Sequence, residues 1–213
     1  MKKVIKNLLS VLFLSVFLLS CSDDDDDKKT LKTVGNLREA ITGETGAKTK
    51  YQKFSEKARE DGYMNISKLF EATASAENIH ITNHNRVLKS TGETEYSPAA
   101  PIVDVKSTEE NLLSGIEGET YEFEVMYPNF MKAAENDGIQ DAVKTFRWAK
   151  ETEQVHAEVY NYVLNLLKEK GDDSSVPGVW YVCPICGNLH YTTDGITACE
   201  FCGTPIESFV VFE

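Results

Sequence analysis

The chain has 213 residues, with 22 basic against 34 acidic side chains and a formal net charge of −12. That balance argues against a protein that grips nucleic acid through a basic face, and 41% hydrophobic residues exclude a wholly disordered chain. Five cysteines cannot all pair as disulfides, and the chain is too long for a disulfide-stapled miniprotein.

Residues 1–20 read as a signal peptide. Lys2, Lys3 and Lys6 precede an apolar stretch from Leu8 to Leu19 that is broken only by Ser10 and Ser15. A membrane-spanning helix needs about 20 apolar residues, whereas a signal-peptide core is shorter. The stretch ends in Leu18-Leu19-Ser20-Cys21, which resembles a bacterial lipobox and makes Cys21 the expected lipidation site. The plainer alternative is an ordinary signal peptide with a chance cysteine. Removing residues 1–20 takes three lysines from a net charge of −12 and leaves −15. Ser22 and the acidic run Asp23–Asp27 follow, a stretch that repels itself and stays solvated, so residues 21–32 form a tether. The acidic run also resembles the surface-export signal of some Gram-negative lipoproteins, with a mere spacer as the alternative. Lipidation would anchor the chain to a membrane of the bacterial cell envelope, facing the periplasm or the surface, without spanning it.

Four helical segments fill residues 33–170. The first carries Leu37, Ala40, Ile41, Ala47, Tyr51, Phe54 and Ala58 at helical spacing and stops at Asp61-Gly62. The second runs from about Asn65 to Lys89, with Ile66, Leu69, Phe70, Thr73, Ile81, Val87 and Leu88 on its stripe. Residues 90–107 hold Gly and two prolines without a helical period and form a long connection. The third helix starts near Thr108, carries Leu112, Ile116, Phe123, Met126 and Phe130, and ends at Asp137-Gly138, with a kink or break expected at Pro128. The fourth runs from Ile139 to about Lys170 with Val143, Phe146, Tyr160, Val163, Leu164 and Leu167 inward. Short outer turns and one long crossover give a mainly α fold, a ferritin-like four-helix bundle whose two halves echo each other. Residues 171–178 read as a flexible linker to a small unit at 179–213.

Each helix points carboxylates at this core. Steps of seven from Leu37 reach Glu44 and Tyr51. Steps of three and four align Phe70, Thr73, Glu77 and His80 on the second helix, and Ile116, Glu119, Glu122 and Met126 on the third. On the fourth, Phe146, Glu153 and Tyr160 are seven apart and His156 follows Glu153 by three. Five converging glutamates without a compensating Lys or Arg would repel severely, and two divalent cations resolve this economically. Carboxylate and imidazole donors suit iron or manganese better than structural zinc. Glu77–His80 and Glu153–His156 are both Glu-x-x-His, and with Glu44 and Glu119 they complete the di-iron carboxylate pattern of four-helix bundles. The bland alternative is a set of amphipathic helices with surface glutamates. His84, one turn beyond His80, reads either as a partner of the site or as a satisfied or solvent-reaching histidine.

Cys183, Cys186, Cys199 and Cys202 follow the pattern C-x2-C-x12-C-x2-C, with Gly187 and Gly203 after each pair. This is the spacing of a four-thiolate metal site, and about 35 residues could hardly fold without such a staple. Two disulfides are the alternative. Ligand count does not separate iron, a one-electron carrier, from zinc, a staple. His190 lies in the cysteine loop and reads as exposed.

Taken together, Gly43-Glu44-Thr45 with Tyr51, Glu77–His80, Asn111-Leu112-Leu113 with Gly118-Glu119 and Glu122, Glu153–His156 and the C-terminal knuckles resemble rubrerythrin over residues 33–213. Glu122 goes beyond the minimal ferritin-like set and is distinctive of that family. The resemblance implies that Glu77 and Glu153 bridge two non-haem irons, and that Glu44 is terminal on the first and Glu119 with His156 on the second. His80 and Glu122 would be alternative ligands of the first iron, and Tyr51 and Tyr127 would hydrogen-bond to ligand carboxylates. The four cysteines would hold one iron in a rubredoxin-like unit. The implied reaction is reduction of hydrogen peroxide to water, with electrons returned singly through the four-Cys iron from an unidentified donor. It also implies a head-to-tail homodimer in which one chain's four-Cys unit nears its partner's di-iron site. The competing functions are ferrous oxidation and iron storage, and a non-enzymatic electron-transfer or metal-binding lipoprotein.

Overall fold

The computed structural model describes residues 31–213. The signal peptide, Cys21 and the run Asp23–Asp27 lie outside the described residues. The helices are α1 (Lys32–Glu60), α2 (Met64–Ser90), α3 (Thr108–Tyr121), α4 (Tyr127–Asp137) and α5 (Gln140–Lys170), with a π-helical turn at Glu122–Met126 between α3 and α4. None of the described helices is long and apolar enough to cross a membrane.

The helix stripes close on one another as two antiparallel pairs, α1 with α2 and α3–α4 with α5. The crossover returns over α1 and α2. Tyr96 exchanges two hydrogen bonds with Asn85, at 2.8 and 3.0 Å, and the Pro101 ring lies over Gly46. The break expected at Pro128 is the π turn. Proline has no N–H and crowds the carbonyl four residues back, so the ladder widens just before it, and the Tyr127 N–H reaches the Glu122 carbonyl five residues back.

Apolar residues form two plugs. One gathers Tyr51, Phe54, Leu69, Phe70, Leu112, Tyr160, Val163 and Trp180. The other gathers Leu37, Ile41, Leu88, Tyr127, Phe130, Val143 and Phe146. A polar layer at the level of Glu44, Glu77, Glu119 and Glu153 lies between them. At Gly115 a Cβ would sit 2.9 Å from the Tyr160 ring, so glycine is what lets α3 approach α5 here.

The starts of α1 and α2 are capped from elsewhere in the chain. The N-caps of α1 and α2, Leu31 and Tyr63, carry no side-chain cap. Asp137 at the end of α4 instead accepts from the Thr33 N–H at 2.8 Å and from its hydroxyl. Asp173, beyond α5, accepts from the Asn65 N–H at 2.6 Å. Asp61, just after α1, accepts from the Thr108 hydroxyl at 2.8 Å beside the Ser107–Glu110 capping box of α3. The segment read as a flexible linker is irregular but tied down. Besides Asp173, its Val176 and Gly178 carbonyls accept from Asn65 and Lys68, and Val176 is buried.

The C-terminal unit is a three-stranded antiparallel sheet in the order β2-β1-β3, formed by β1 (Trp180–Val182), β2 (Leu189–His190) and β3 (Val210–Phe212). Tyr181 pairs with His190 on one side and Val211 on the other.

Candidate metal centres

The polar layer of the bundle is a closed cluster. Glu44, Glu77, Glu153, His80 and His156 are at most 1% exposed, and so is Glu119. Two groups could each hold an ion: Glu44, Glu77, His80 and Glu153, and Glu77, Glu119, Glu153 and His156, with ligand atoms within 4.8 Å of one another in each. Glu77 and Glu153 belong to both groups, so they stand between the two positions. His80 Nδ1 lies 3.0 Å from Glu77 and 2.9 Å from Glu153, and His156 Nδ1 lies 2.8 Å from Glu153.

The outer carboxylates are held from behind. Tyr127 donates to Glu44 Oε1 and Tyr51 donates to Glu119 Oε1. His80 turns its other nitrogen away from the cluster, towards the Cys186 carbonyl at 3.0 Å and the Thr152 hydroxyl at 2.9 Å. Anchoring the far nitrogen in this way is the usual support of a ligating histidine. Glu122 stands apart from both groups. It is half-buried in the π turn, and a Cβ on Gly43 would touch its Oε1 at 3.5 Å.

Without a cation the cluster is electrostatically unbalanced. Burial, then the charges of Glu153 and Glu77, push Glu44 up to about 8 against the pull of His80. Burial and neighbouring carboxylates raise Glu119 and Glu122 well above the usual range. Burial would raise Glu77 too, but the imidazoles of His156 and His80 hold it at about 2. Burial should lower His80 and His156, yet the carboxylates around them raise both. Glu44 Oε2, Glu119 Oε2 and His156 Nε2 are buried without a hydrogen-bond partner, and Glu77 Oε1, both Glu153 oxygens and His156 Nδ1 have close neighbours only within the cluster and no aligned hydrogen bond. Orphaned anionic donors of this kind in one layer fit a pair of divalent cations.

The second centre is as complete. Cys183, Cys186, Cys199 and Cys202 are free thiols within 4.8 Å of one another. Cys183 Sγ lies 3.4 Å from Cys202 Sγ, and Cys186 Sγ lies 3.5 Å from Cys199 Sγ. A tetrahedral four-thiolate ion requires sulfurs about 3.8 Å apart, whereas a disulfide needs about 2 Å. The neighbouring thiols of Cys186 and Cys199 lower Cys183 to about 3, while the thiols of Cys183 and Cys199 push Cys186 up. Four thiolates cannot share this space without a cation. Asn188 donates to Cys199 Sγ at 3.7 Å, and the Thr204 hydroxyl lies 3.0 Å from Cys202 Sγ.

The two centres meet within one chain. The knuckle Cys183–Gly187 lies on α2, where Asn83 donates to the Ile185 carbonyl at 2.8 Å beside the His80–Cys186 contact.

Several site-building residues carry no motif in the sequence. Thr152 precedes Glu153 and anchors His80. Asn188 follows the first knuckle, and its spacing from Gly187 was the available signal. His84 is fully buried, with Nε2 at 3.2 Å from the Tyr127 hydroxyl and Nδ1 at 3.2 Å from the Thr145 hydroxyl. Burial, and then the charge of His80, hold it down at about 3. His190 is not simply exposed: its side chain is 13% accessible, accepts from Asn188 at 3.0 Å and faces Phe209. Its place in the edge strand β2 brings it to Phe209, a contact invisible in the cysteine spacing.

Comparison with known proteins agrees with this geometry. A family model described as rubrerythrin matches residues 35–164. Nigerythrin of Nitratidesulfovibrio vulgaris (strain Hildenborough) is 39% identical over 188 residues, which covers 87% of this chain and 90% of that protein. Rubrerythrin-2 of Clostridium acetobutylicum is 33% identical over 186 residues, covering 86% and 98%. A solved structure of nigerythrin in a mixed-valence state is similar with a TM-score of 0.76 at 39% identity, over 84% of this chain and 86% of that one. A fully reduced, all-ferrous nigerythrin gives 0.75 at 35% identity, over 99% and 100%.

Proposed function

The chain belongs to the rubrerythrin family, and from that premise we propose that it reduces hydrogen peroxide to water with electrons relayed through its four-Cys iron. It is a di-iron protein of the oxidative-stress class, with a carboxylate–histidine cluster for the di-iron site and a four-Cys cluster for the Fe(Cys)4 site.

In the proposed assignment Glu77 and Glu153, which belong to both donor groups, would hold both irons. Glu44 and His80 complete the first position, with Glu122 as the alternative to His80, and Glu119 and His156 complete the second. Bound as a ferrous pair, the irons supply two electrons together, as cleavage of an O–O bond without a radical product requires. The chain's own groups do the rest. Tyr127 and Tyr51 fix the outer carboxylates, the apolar plugs exclude water, and His80 joins the bundle to the carbonyl of a cysteine in the second centre. The observation that carries the reading is this combination: two donor groups sharing Glu77 and Glu153, with the four-Cys knuckle docked on one of them. The reduced protein, mixed anaerobically with hydrogen peroxide in a stopped-flow instrument, should reoxidise far faster than with dioxygen. Equal rates would remove the peroxidase reading.

The proposal includes anchorage to the cell envelope through Cys21 and association as a head-to-tail homodimer. The lipobox-like Leu18–Cys21 supports the first. Cys21→Ser should move the protein from the membrane fraction to the soluble one, and a wild-type chain already soluble without detergent would count against the anchor. Light scattering on the released form reads its mass against that of a dimer. The contact of the knuckle with its own bundle supports a relay within one chain beside one across the pair.

A further inference from the structure

Reducing peroxide consumes protons, and most of the groups at the site that would do it are buried. H2O2 takes up two electrons and two protons to give two waters: the O–O bond breaks, two O–H bonds form, both electrons come from the reduced centre, and both protons come in the end from bulk water. Glu44, Glu77, Glu119 and Glu153 are at most 1% exposed, so protons bound for them need a route, and only Glu122 is half-exposed.

We propose that Thr145, His84 and Tyr127 form a proton path from a surface cavity to Glu44. The cavity, about 250 Å³, is lined by Arg86, Ser90, Asp141, Lys144, Thr145 and Trp148. Thr145 is 2% exposed and forms part of its wall. Its hydroxyl is 3.2 Å from His84 Nδ1, His84 Nε2 is 3.2 Å from the Tyr127 hydroxyl, and that hydroxyl donates to Glu44 Oε1. The bonds run in one direction. Tyr127 spends its proton on Glu44, so its oxygen accepts from His84 Nε2–H. His84 is fully buried and its nearest carboxylate oxygen is 4.0 Å away, so it stays neutral. Its Nδ1 is then an acceptor, and Thr145 must donate to it.

Transfer proceeds along these bonds without a charged intermediate at His84. Tyr127 gives its proton towards Glu44, His84 gives Nε2–H to Tyr127, Thr145 gives its proton to Nδ1, and cavity water replenishes Thr145. His84 breaks its Nε2–H bond and forms an Nδ1–H bond, so each passage delivers one proton and leaves the other neutral tautomer. Tyr127 already belongs to the site; His84 and Thr145 are the added members, and they act through it as positioning and relay residues.

This inference rests on the proposed peroxide reduction for the use of the protons, but the path can be read without it. In the full chain loaded with diamagnetic zinc and labelled with 15N-histidine, exchange of the His84 ring proton with water is measured by saturation transfer. Thr145→Val, which keeps the shape and removes the hydroxyl, should slow exchange at least tenfold, and Thr145→Ser should restore it. With iron and peroxide, Thr145→Val should lower kcat with KM unchanged and increase the solvent isotope effect, and His84→Phe should do the same. Exchange unaffected by Thr145→Val overturns the path. Slowed exchange with unaltered peroxide turnover overturns its role. Absence of peroxide turnover in the wild type strikes the functional reading instead and leaves the exchange result standing on its own.

Discussion

Glu44→Gln is expected to make the metal-free protein more stable at pH 8, leave it unchanged at pH 4, and stop peroxide-driven reoxidation of the iron-loaded form. Burial and the charges of Glu153 and Glu77 hold Glu44 at about 8 in the folded chain, against an ordinary value of 4.5. The unfolded chain releases this proton from about pH 4.5 upward, and the folded chain keeps it. The contribution of Glu44 to wild-type stability therefore falls as pH rises between those values, by about 1.4 kcal/mol for each pH unit. Below the lower value both states are protonated and the group contributes nothing. Glutamine carries no charge at any pH and keeps an oxygen to accept from Tyr127, so it removes that slope. With iron present the sign reverses, because the group of Glu44, Glu77, His80 and Glu153 loses an anionic donor. Urea denaturation of both metal-free proteins at pH 4 and pH 8, with iron counted in the loaded forms, reads all three effects. Identical pH slopes would show that Glu44 is not the strained acid. A functional site built at the expense of stability has this signature.

Gly187→Ala should separate the two centres without emptying either. Gly187 and Gly203 hold equivalent places after the two cysteine pairs, with φ of 88° and 76°. Alanine at either should cost about 1–2 kcal/mol for the left-handed backbone. Only at Gly187 does a Cβ also meet a neighbour: His80 Nε2 at 2.7 Å and the Ala76 carbonyl at 3.3 Å. Around Gly203 nothing lies within 4 Å. Gly203→Ala is thus the control for backbone strain, and the difference between the variants isolates docking. Both should bind iron at the four cysteines. In Gly187→Ala alone, the His80–Cys186 hydrogen bond should break, and electron transfer from the four-Cys iron to the bundle should slow strongly. The visible absorption of the four-Cys iron, followed after a peroxide pulse, measures that rate. Equal slowing in both variants would mean that the knuckle contact is not the route.

The helices and the metal layer were legible because both are written in local periodicity. Glu44, Glu77, Glu119 and Glu153 fall on apolar stripes, and a period of seven or of three and four is enough to bring them to one level. The break at Pro128 was legible as well, though not its form. A π turn depends on which carbonyl the next free N–H finds, and here it brings Glu122 beside Gly43. What was not legible was tertiary. The Asp173–Asn65 bond spans 108 residues and the Asn83–Ile185 bond spans 102, and neither leaves a repeat or a motif in the chain. His84 had the right spacing from His80 to lie near the site. Its role depends on Thr145, which belongs to another helix and carries no pattern of its own.

The borrowed helix caps bear on the order in which the chain can become itself. α1 waits for Asp137 and α2 for Asp173, whereas α3 carries its own capping box and takes a further bond from Asp61. The first half of the bundle is thus completed by residues from beyond its own end, and the second half by a residue from the first. The resemblance between the halves does not make them interchangeable modules: the first could not be cut out and keep its helix starts satisfied, and the second would lose the Asp61 bond to Thr108. During synthesis, α2 lacks its cap until the ribosome has passed residue 173 of 213. Closure of the metal layer is therefore a late event, and the iron site comes into being with nearly the whole chain or not at all.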